Sequence, residues 1–390
     1  MNYSPLTIFL DLSKAFDTLN HEILIAKLKH YGLQNSALQL CKNYLTCRKQ
    51  YTQIHEAQSS QLDINIGVPQ GSILGPFLFL VFVNDLPNCS DTFKFITYAD
   101  DTTLISTINH QTMHDINSLN TELNKVYEWL CTNKLSLNIS KTKFLIFHTP
   151  HRQITPPVIT INNTQIENVD TFNFLGVTLD KHMTWKSHIN KVVKKIAQIT
   201  GALNNLKNMI PLAAKMHIYN ALIVPHLNYG ILAWGFSSST NNIYKMQKKS
   251  LRAINNSKYN SHTDPIFKKL GLLKITDIRK LFEIKFFYKF NAKLLPQYFT
   301  AFITTNESHQ INAPVTRGRR LLSVPAHRHH FFKLGLRYSI VNTINSCPVT
   351  LLNRCETHSI KSVSESFKTL IIESYQTECT NENCYICQSN

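Results

Sequence analysis

Two runs of β-favouring residues, 93–99 and 102–108, flank the adjacent acids Asp100 and Asp101. This pattern predicts a hairpin with a two-residue turn, and therefore an antiparallel sheet. Such turns favour Asp-Gly or Asn-Gly, so two carboxylates that repel each other bring no structural advantage there. A third acid, Asp11, directly follows a short apolar run, residues 6–10, which predicts a buried strand. The sequence thus predicts three carboxylates at the ends of strands.

Carboxylates in these positions suit divalent cations. Mg²⁺ prefers hard oxygen ligands, and its charge would remove the repulsion between neighbouring acids. If Asp11 lies on a strand next to the hairpin, the cluster can hold two ions about 3.5–4 Å apart. Two Mg²⁺ ions, with Mn²⁺ as the alternative metal, are therefore the predicted cofactors. An isolated Asp-Asp turn would otherwise be an ordinary surface feature.

The charge of the chain is unevenly distributed. The net charge is +17, yet residues 1–180 hold 12 Lys and Arg against 15 Asp and Glu, a net −3. Residues 181–390 hold 29 basic against 9 acidic residues, a net +20. This excess predicts a polyanionic partner, because each Lys or Arg placed on a phosphate releases a condensed counterion. The alternative is a merely soluble, basic surface.

The cysteines and the first residues bear on the compartment. The nine Cys are scattered without the spacing of a disulfide framework, and no basic segment precedes the first apolar run. We therefore expect reduced thiols and an intracellular protein, in the cytoplasm, the nucleus or both, that is not secreted. The longest apolar stretch, residues 73–83, is interrupted by Gly75 and Pro76 and is too short to span a bilayer, so we expect no membrane role.

Helical spacing marks several segments of the first half. Asn20 can cap a helix that Gly32 ends. Ser72 can cap a helix that runs through Leu86; its residues are apolar on nearly all sides, which predicts a buried helix. Residues 112–132 predict a further helix, before a strand at 142–147.

From Thr184 onward the pattern changes to basic amphipathic helices. One has an apolar face over 189–199, a second carries the basic residues of 245–252, and a third can be capped by Thr276 or Asp277. The stretch 317–337 is dense in Arg and His and is predicted to be irregular.

Five segments, in this order, resemble the palm motifs of reverse transcriptases from non-LTR (LINE, jockey-like) retrotransposons. They are FLDLSKAFD at 9–17, GVPQGSILGP at 67–76, YADDT at 98–102, NKLSLN at 133–138 with Lys141 and Lys143 beyond, and FLGV at 174–177 with Trp185 and His188 beyond. The order and number of the motifs make this resemblance specific.

The resemblance implies an α+β fold: a polymerase palm, with an antiparallel sheet and helices on one face, followed by a mostly helical, basic thumb and C-terminal region. We expect the palm at 1–180, a thumb-like region at 181–300 and a basic, partly irregular C-terminal region at 301–390. The implied function is RNA-directed DNA polymerase, with an RNA template, a DNA primer and dNTPs as partners.

The resemblance also implies roles for individual residues. Asp11, Asp100 and Asp101 are the expected catalytic metal ligands. One ion would activate a primer 3′-hydroxyl, and the other would steady the leaving pyrophosphate. Lys141 is the expected proton donor to the pyrophosphate, and its neighbour Lys143 is the alternative.

Further residues are expected to hold the nucleotide and the primer. Phe16 corresponds to the aromatic gate that excludes a ribose 2′-hydroxyl, although it could be an ordinary core Phe. Gln70 is expected to hydrogen-bond the nucleotide or template, and Gly71 to let a nucleic-acid backbone approach closely. The expected primer grip consists of Phe174, Leu175 and Gly176.

Two features depart from the family pattern. Only ten residues precede Asp11, whereas these enzymes place their fingers upstream, so we expect an N-terminally truncated copy. The alternative function is therefore a catalytically incompetent remnant that only binds nucleic acid. Cys379, Cys384 and Cys387 hint at a zinc knuckle, but a closed site needs four ligands, so we do not expect zinc there.

Overall fold

The computed structural model describes residues 3–109, 113–304, 322–325 and 335–377. The chain divides into two compact units. The first comprises residues 1–173 and 180–183, and the second comprises residues 174–179 and everything from 184 onward. Each unit is described by itself below.

The first unit mixes strands and helices. In chain order the elements up to the hairpin that ends it are β1 (Tyr3–Leu10), α1 (His21–His30), α2 (Asn35–Leu45), β2 (Arg48–Gln50), β3 (Gln53–Ile54), β4 (Ala57–Gln58), β5 (Leu62–Ile64), α3 (Leu74–Val83), β6 (Lys94–Tyr98), β7 (Asp101–Asn109), α4 (Met113–Thr132), β8 (Lys143–Ile146), β9 (Thr160–Ile161), β10 (Thr164–Gln165), β11 (Glu167–Asn168), β12 (Thr171–Phe174) and β13 (Val177–Asp180).

The central sheet of this unit has five strands in the order β11-β8-β1-β7-β6. The pairs β8–β1, β1–β7 and β7–β6 are antiparallel, and β11 joins β8 in parallel. The predicted strand at 6–10 is confirmed as β1, which begins earlier than predicted, and the predicted hairpin is confirmed as β6–β7. The mixture of an antiparallel sheet with helices confirms the α+β class.

One face of the sheet packs against α4. Side chains alternate between the two faces of a strand, so Leu6, Ile8 and Leu10 point to the same side. They form a buried cluster with Leu104 of β7 and with residues of α4, among them Leu123. The residues between them on β1, Phe9 included, therefore point to the opposite face, toward which Asp11 also points.

A second apolar cluster lies around α1, α3 and the C-terminal part of α4. The predicted cap of α1 is confirmed, because the Asn20 side chain accepts a hydrogen bond from the Ile23 amide at 3.0 Å. Leu24 and Leu28 of α1 are buried, and they belong to the same cluster as Phe82 of α3.

The prediction that α3 is buried all round is wrong. Leu78, Phe79 and Phe82 are buried, but Ile73 is 95% exposed and Phe77 56% exposed. The helix also ends at Val83, before the predicted Leu86. Ser72 does act at its start, since its hydroxyl accepts a hydrogen bond from the Gly75 amide at 3.0 Å. An apolar sequence thus needs partners on every side to be buried, and within this unit α3 has them on one side.

The second unit is helical after the hairpin strand β13. Its helices are α5 (Lys186–Asn205), α6 (Leu212–Ile218), α7 (Val224–Asn228), α8 (Ile231–Trp234), α9 (Thr240–Ile254), α10 (Asp264–Lys269), α11 (Ile275–Asn291), α12 (Leu336–Ser346), α13 (Val349–Thr357) and α14 (Ile360–Glu373). A π-helical turn, Tyr219–Ile223, joins α6 to α7.

The three predicted basic helices are confirmed as α5, α9 and α11. The predicted cap of α11 is wrong: the helix begins after Lys274, and neither Thr276 nor Asp277 caps it. The carboxylate of Asp277 instead accepts a hydrogen bond from the Tyr375 hydroxyl at 2.7 Å. The tertiary contact has taken the oxygen that the sequence pattern assigned to the helix end.

Part of the C-terminal prediction lies outside the described residues. Residues 305–321, 326–334 and 378–390 are not described, so neither the irregular stretch predicted at 317–337, apart from its last residues, nor the three terminal cysteines can be compared with the structure. In the described parts of the region, α12, α13 and α14 are regular helices. Among the described residues, none of the helices is both long and apolar enough to cross a bilayer.

A buried amide joins the helices of the second unit. Gln247 of α9 is completely buried. Its Nε2 donates to the Tyr219 hydroxyl (3.0 Å) and to the Leu273 carbonyl (2.9 Å), while its Oε1 accepts from the Ile275 amide at 3.0 Å. Burial raises the pKa of Tyr219 to about 12. Every polar atom of the Gln247 side chain is therefore used to connect α9 to the π-helical turn and to the start of α11.

Replacing Gln247 with Met should lower the free energy of unfolding by about 2–4 kcal/mol, because each buried polar group left unpaired costs roughly 1–3 kcal/mol. Urea unfolding followed by circular dichroism measures this. Asn242→Met on the exposed side of the same helix is the matched control and should change stability little. Equal effects of the two substitutions would show that the buried amide does not stabilise the unit.

Candidate active site

The strand register brings Asp11 next to the acidic hairpin. Leu10 of β1 pairs with Thr102 of β7, and one step further along this register Asp11 comes opposite Asp101. Directly opposite residues of an antiparallel pair point to the same face, with Cβ atoms roughly 4.5–5.5 Å apart. The condition set by the sequence, that Asp11 lies on a strand next to the hairpin, is met.

The hairpin turn differs from the predicted one by one residue. Tyr98 pairs with Asp101, so the two turn residues are Ala99 and Asp100, and Asp101 is the first residue of β7. Ala99 has φ +52°, a left-handed conformation that a residue with a Cβ adopts only at a cost. The turn therefore separates the two acids: Asp100 lies in the loop, and Asp101 is held by the strand pairing.

The three acids influence each other electrostatically. Partial burial, and then the charges of Asp100 and Asp11, raise the pKa of Asp101. Their carboxylates do not converge on one point, however. In the part of the chain that the structure describes, no group of three or more His, Cys, Asp or Glu side chains stands close enough together to hold a metal ion. Like charges at one strand end repel each other, which favours side-chain conformations that hold them apart.

The segment 133–143 is tied to Asp11 by backbone hydrogen bonds. The Asn138 amide donates to the Asp11 carbonyl at 2.8 Å, and the Ser13 amide donates to the Ser136 carbonyl at 2.8 Å. The Asp11 amide in turn donates to the Thr142 hydroxyl at 3.4 Å. These contacts hold the predicted fourth motif against the first, although more than 120 residues separate them in the sequence.

This attachment places Lys141 beside the acids. Its Nζ lies 4.0 Å from an Asp11 carboxylate oxygen, and its side chain is 70% exposed. Lys143, the alternative proton donor, is engaged elsewhere: its Nζ lies 2.6 Å from a Glu167 carboxylate oxygen and donates to the Ser140 carbonyl. Of the two lysines, the geometry favours Lys141.

Phe16 has a neighbour in the core and is only half-buried. Its ring centroid lies 4.8 Å from that of Phe79 on α3. This contact is what the ordinary core reading requires. The part of the ring that stays accessible is what a nucleotide gate requires, so the gate stays a prediction.

The loop that carries Gln70 and Gly71 is anchored to the segment after Asp11. The Val68 amide donates to the Phe16 carbonyl at 2.8 Å, and His21 Nε2 donates to the Gly67 carbonyl at 2.7 Å. A Cβ on Gly67 would come within 2.6 Å of the Asp17 carbonyl oxygen. This position therefore requires glycine, a requirement that the sequence alone did not reveal.

Gln70 and Gly71 are both exposed on this loop. Gln70 Nε2 donates to an Asp17 carboxylate oxygen at 2.8 Å, so the partner of Asp17 is Gln70 and not the end of a helix. Gly71 has φ +82°, and a Cβ there would meet nothing within 4 Å. Its backbone conformation explains the glycine, and the open space in front of it is compatible with an approaching ligand.

The predicted primer grip belongs to the second unit, whereas the acids belong to the first. Leu175 and Gly176 form the turn between β12 and β13, with φ values of +45° and +78°. The Tyr229 hydroxyl donates to the Leu175 carbonyl at 2.6 Å, and its ring lies 3.3 Å from the position of a Cβ on Gly176. Tyr229 is thus a support for the turn that sequence reasoning missed; its motif at 225–230 was noticed without a role.

The class of protein follows from comparison with known families. Residues 2–179 match the family described as reverse transcriptase (RNA-dependent DNA polymerase), and these residues contain the sheet and all three acids. The chain belongs to the reverse transcriptase family, in the branch found in non-LTR retrotransposons.

The relatives are enzymes of mobile elements. The chain is 31% identical over 281 residues to the RNA-directed DNA polymerase from mobile element jockey of Drosophila funebris, which is 69% of this chain and 30% of that protein. It is 29% identical over 336 residues to the protein of that name from Drosophila melanogaster, covering 83% of this chain and 35% of the relative. The chain therefore spans about a third of the length of the curated relatives it matches.

A third relative and one solved structure complete the comparison. The probable RNA-directed DNA polymerase from transposon X-element of Drosophila melanogaster is 27% identical over 282 residues, 70% of this chain and 30% of that protein. The structure of apo telomerase from Candida tropicalis matches with a TM-score of 0.36 and 11% identity, over 70% of this chain and 47% of that one. A likeness at this TM-score supports no conclusion.

The repulsion among the acids yields a stability prediction. Asp101→Asn should raise the Tm in EDTA by about 1 °C, because exposed charge pairs are worth roughly 0.2–1 kcal/mol. Added Mg²⁺ should stabilise the wild type more than the variant. Differential scanning calorimetry measures both effects.

Asp63→Asn is the matched control for this measurement. Asp63 is exposed and lies 3.9 Å from the Lys49 ammonium, so neutralising it should not stabilise the protein. An unchanged or lower Tm for Asp101→Asn in EDTA would contradict the account of repulsion at the hairpin.

Proposed function

We propose that this chain is an RNA-directed DNA polymerase that transfers a nucleotide from a dNTP to a primer 3′-hydroxyl, with an RNA template and two bound Mg²⁺ ions. The observation that carries the proposal is the β1–β7 register, which continues to place Asp11 opposite Asp101. The printed names of the relatives support it, since jockey elements carry an enzyme described as an RNA-directed DNA polymerase.

The donor set at the strand ends fits divalent cations. Carboxylate oxygens from Asp11, Asp100 and Asp101 are the ligands that Mg²⁺ and Mn²⁺ prefer. When bound, the two ions activate the attacking hydroxyl and neutralise charge on the departing pyrophosphate. The contribution of the chain is to hold the carboxylates: Asp11 and Asp101 are fixed by adjacent strands, and Asp100 by the turn.

Lys141 is proposed as the group that protonates the leaving pyrophosphate. Its ammonium stands 4.0 Å from Asp11, close to the proposed metal ligands yet exposed enough to reach a substrate. Proton transfer to a leaving oxygen by a positioned side chain contributes typically about 10²–10⁴-fold to a rate. The bonds from Asn138 and Ser136 to the Asp11 segment keep the lysine at this position.

The loop residues are proposed to select and hold the incoming nucleotide. Phe16 would exclude a ribose 2′-hydroxyl with the accessible part of its ring. Gln70 would exchange its hydrogen bond to Asp17 for one to the nucleotide or template. Gly71 would allow close approach of a nucleic-acid backbone.

The second unit is proposed to hold the template and primer. Phe174, Leu175 and Gly176 would contact the primer end, and the basic faces of α5, α9 and α11 would contact phosphates without reading sequence. Work on these substrates takes place inside the cell, so we propose the cytoplasm, the nucleus or both as its location.

The decisive experiment is primer extension on an RNA template with Mg²⁺ and dNTPs. The wild type should extend the primer, and Asp100→Ala should lose at least about 10³-fold in rate, since removing a group that stabilises transition-state charge costs roughly 10²–10³-fold or more. Asp91→Ala, which removes an exposed acid before β6, is the matched control and should extend normally.

Two outcomes would overturn the proposal. Equal extension by the wild type and Asp100→Ala would remove the acids from the chemistry. Failure of the intact chain to extend, together with salt-sensitive RNA binding, would support the alternative of a remnant that only binds nucleic acid.

The two lysines give a separate prediction. Lys141→Gln should slow a single nucleotide addition by about 10²-fold and reduce its solvent isotope effect, because a proton donor is lost. Lys143→Gln should leave the rate within about twofold but lower the Tm, because it breaks the contact with Glu167. Rapid-quench kinetics in H₂O and D₂O distinguishes them; the reverse pattern would assign the proton donor to Lys143.

A further inference from the structure

A groove of about 710 Å³ lies between α11 and α14 in the second unit. Residues from both helices line it, with Leu232 and Leu295 completing the floor. None of the residues assigned above to metal, nucleotide or primer belongs to it. The groove therefore has no part in the proposed chemistry.

The rims of the groove are basic. Lys285 and Lys289 of α11 line one side, Lys361 and Lys368 of α14 the other, and Glu365 also lines it, which leaves a net charge of +3. Within the described part of the chain none of the four lysines forms an ion pair. Burial, and then the charges of Lys368 and Lys289, lower the pKa of Lys285. The lysines thus repel one another across the groove.

The floor is apolar. It is formed by Phe282 and Phe286 of α11 with Leu232 and Leu295. The Phe286 ring is held in an edge-on contact with Phe299, their centroids 5.3 Å apart. The Lys285 ammonium lies 5.1 Å from the centroid of the Phe282 ring. A fixed apolar floor between cationic rims suits an occupant that combines flat apolar groups with repeated negative charges.

The spacing of the lysines adds to this requirement. Lys285 and Lys289 are one helical turn apart, and Lys361 and Lys368 are two turns apart, which is roughly 6 Å and 10 Å along their helices. The positive charges therefore extend along the groove instead of surrounding one point. A chain of charges fits this arrangement better than a single phosphate or carboxylate.

We propose that this groove binds single-stranded RNA, with bases on the apolar floor and phosphates along the lysine rims. Proteins that hold single strands without reading sequence combine such a basic track with apolar platforms for the bases. The excess of +20 over residues 181–390 favours a nucleic acid over an acidic protein segment, because every nucleotide carries a charge. This site goes beyond the proposed polymerase function and would hold RNA outside the template–primer duplex.

The test is fluorescence anisotropy of a 5′-labelled 12-nucleotide oligo(U) RNA titrated with the full chain in EDTA. Lys289→Gln with Lys368→Gln removes one exposed lysine from each rim and should weaken binding about tenfold or more. It should also lower the slope of log K against log salt by about 1.4, since each single-strand phosphate contact contributes roughly 0.7. An abasic strand of the same length should bind the wild type more weakly than oligo(U).

Lys245→Gln with Lys249→Gln is the matched control. Both residues are exposed on α9, away from the groove, so oligo(U) binding should persist while affinity for an RNA–DNA duplex falls. Equal loss of oligo(U) binding in both double variants would overturn the proposal. So would an unlabelled acidic, Leu-containing peptide that binds the wild type, requires Lys289 and Lys368, and outcompetes oligo(U).

The proposal can fail separately from the polymerase assignment. The binding measurement uses neither Mg²⁺ nor dNTPs, and the groove variants keep all three acids and Lys141. Loss of oligo(U) binding with normal extension of a short primer on a short template would support the groove alone.

Discussion

The pairing of β1 with β7 is the interaction on which the site depends. One register brings Leu6, Ile8 and Leu10 onto the buried face against α4, and by alternation sets Asp11 on the opposite face beside Asp101. A slip of one residue would reverse both faces at once. The burial of the apolar residues therefore pays for keeping like charges together, and the repulsion among the acids is tolerated because the core fixes the strands.

Local patterns in the sequence predicted the elements that carry the chemistry. The strand before Asp11, the acidic hairpin, the Asn20 cap and the basic helices were all found from spacing and residue type. The turn was misplaced by one residue because alternation identifies two strands but not their register. That Ala99 adopts a left-handed conformation follows from the Tyr98–Asp101 pairing, which no local preference of Ala would indicate.

Contacts between distant segments could not be predicted. The bonds from the Asn138 segment that place Lys141, the support of Leu175 by Tyr229, and the facing lysines of α11 and α14 each join residues far apart in the chain. Burial of α3 was misjudged for the same reason, since apolar composition shows a tendency to be buried but not the partners available. The metal-ligand, nucleotide and primer assignments rest on the family resemblance and on this geometry together.

The central claim, that Asp11 and the hairpin acids share bound cations, is tested most directly by Mn²⁺ electron paramagnetic resonance. Free Mn²⁺ is counted as the ion is titrated into the protein with template–primer and dNTP, for the wild type and for Asp11→Asn. The account predicts up to two tightly bound ions per chain, with at least one lost in Asp11→Asn, as in Asp100→Asn. Binding in Asp11→Asn equal in number and affinity to that of the wild type would contradict it.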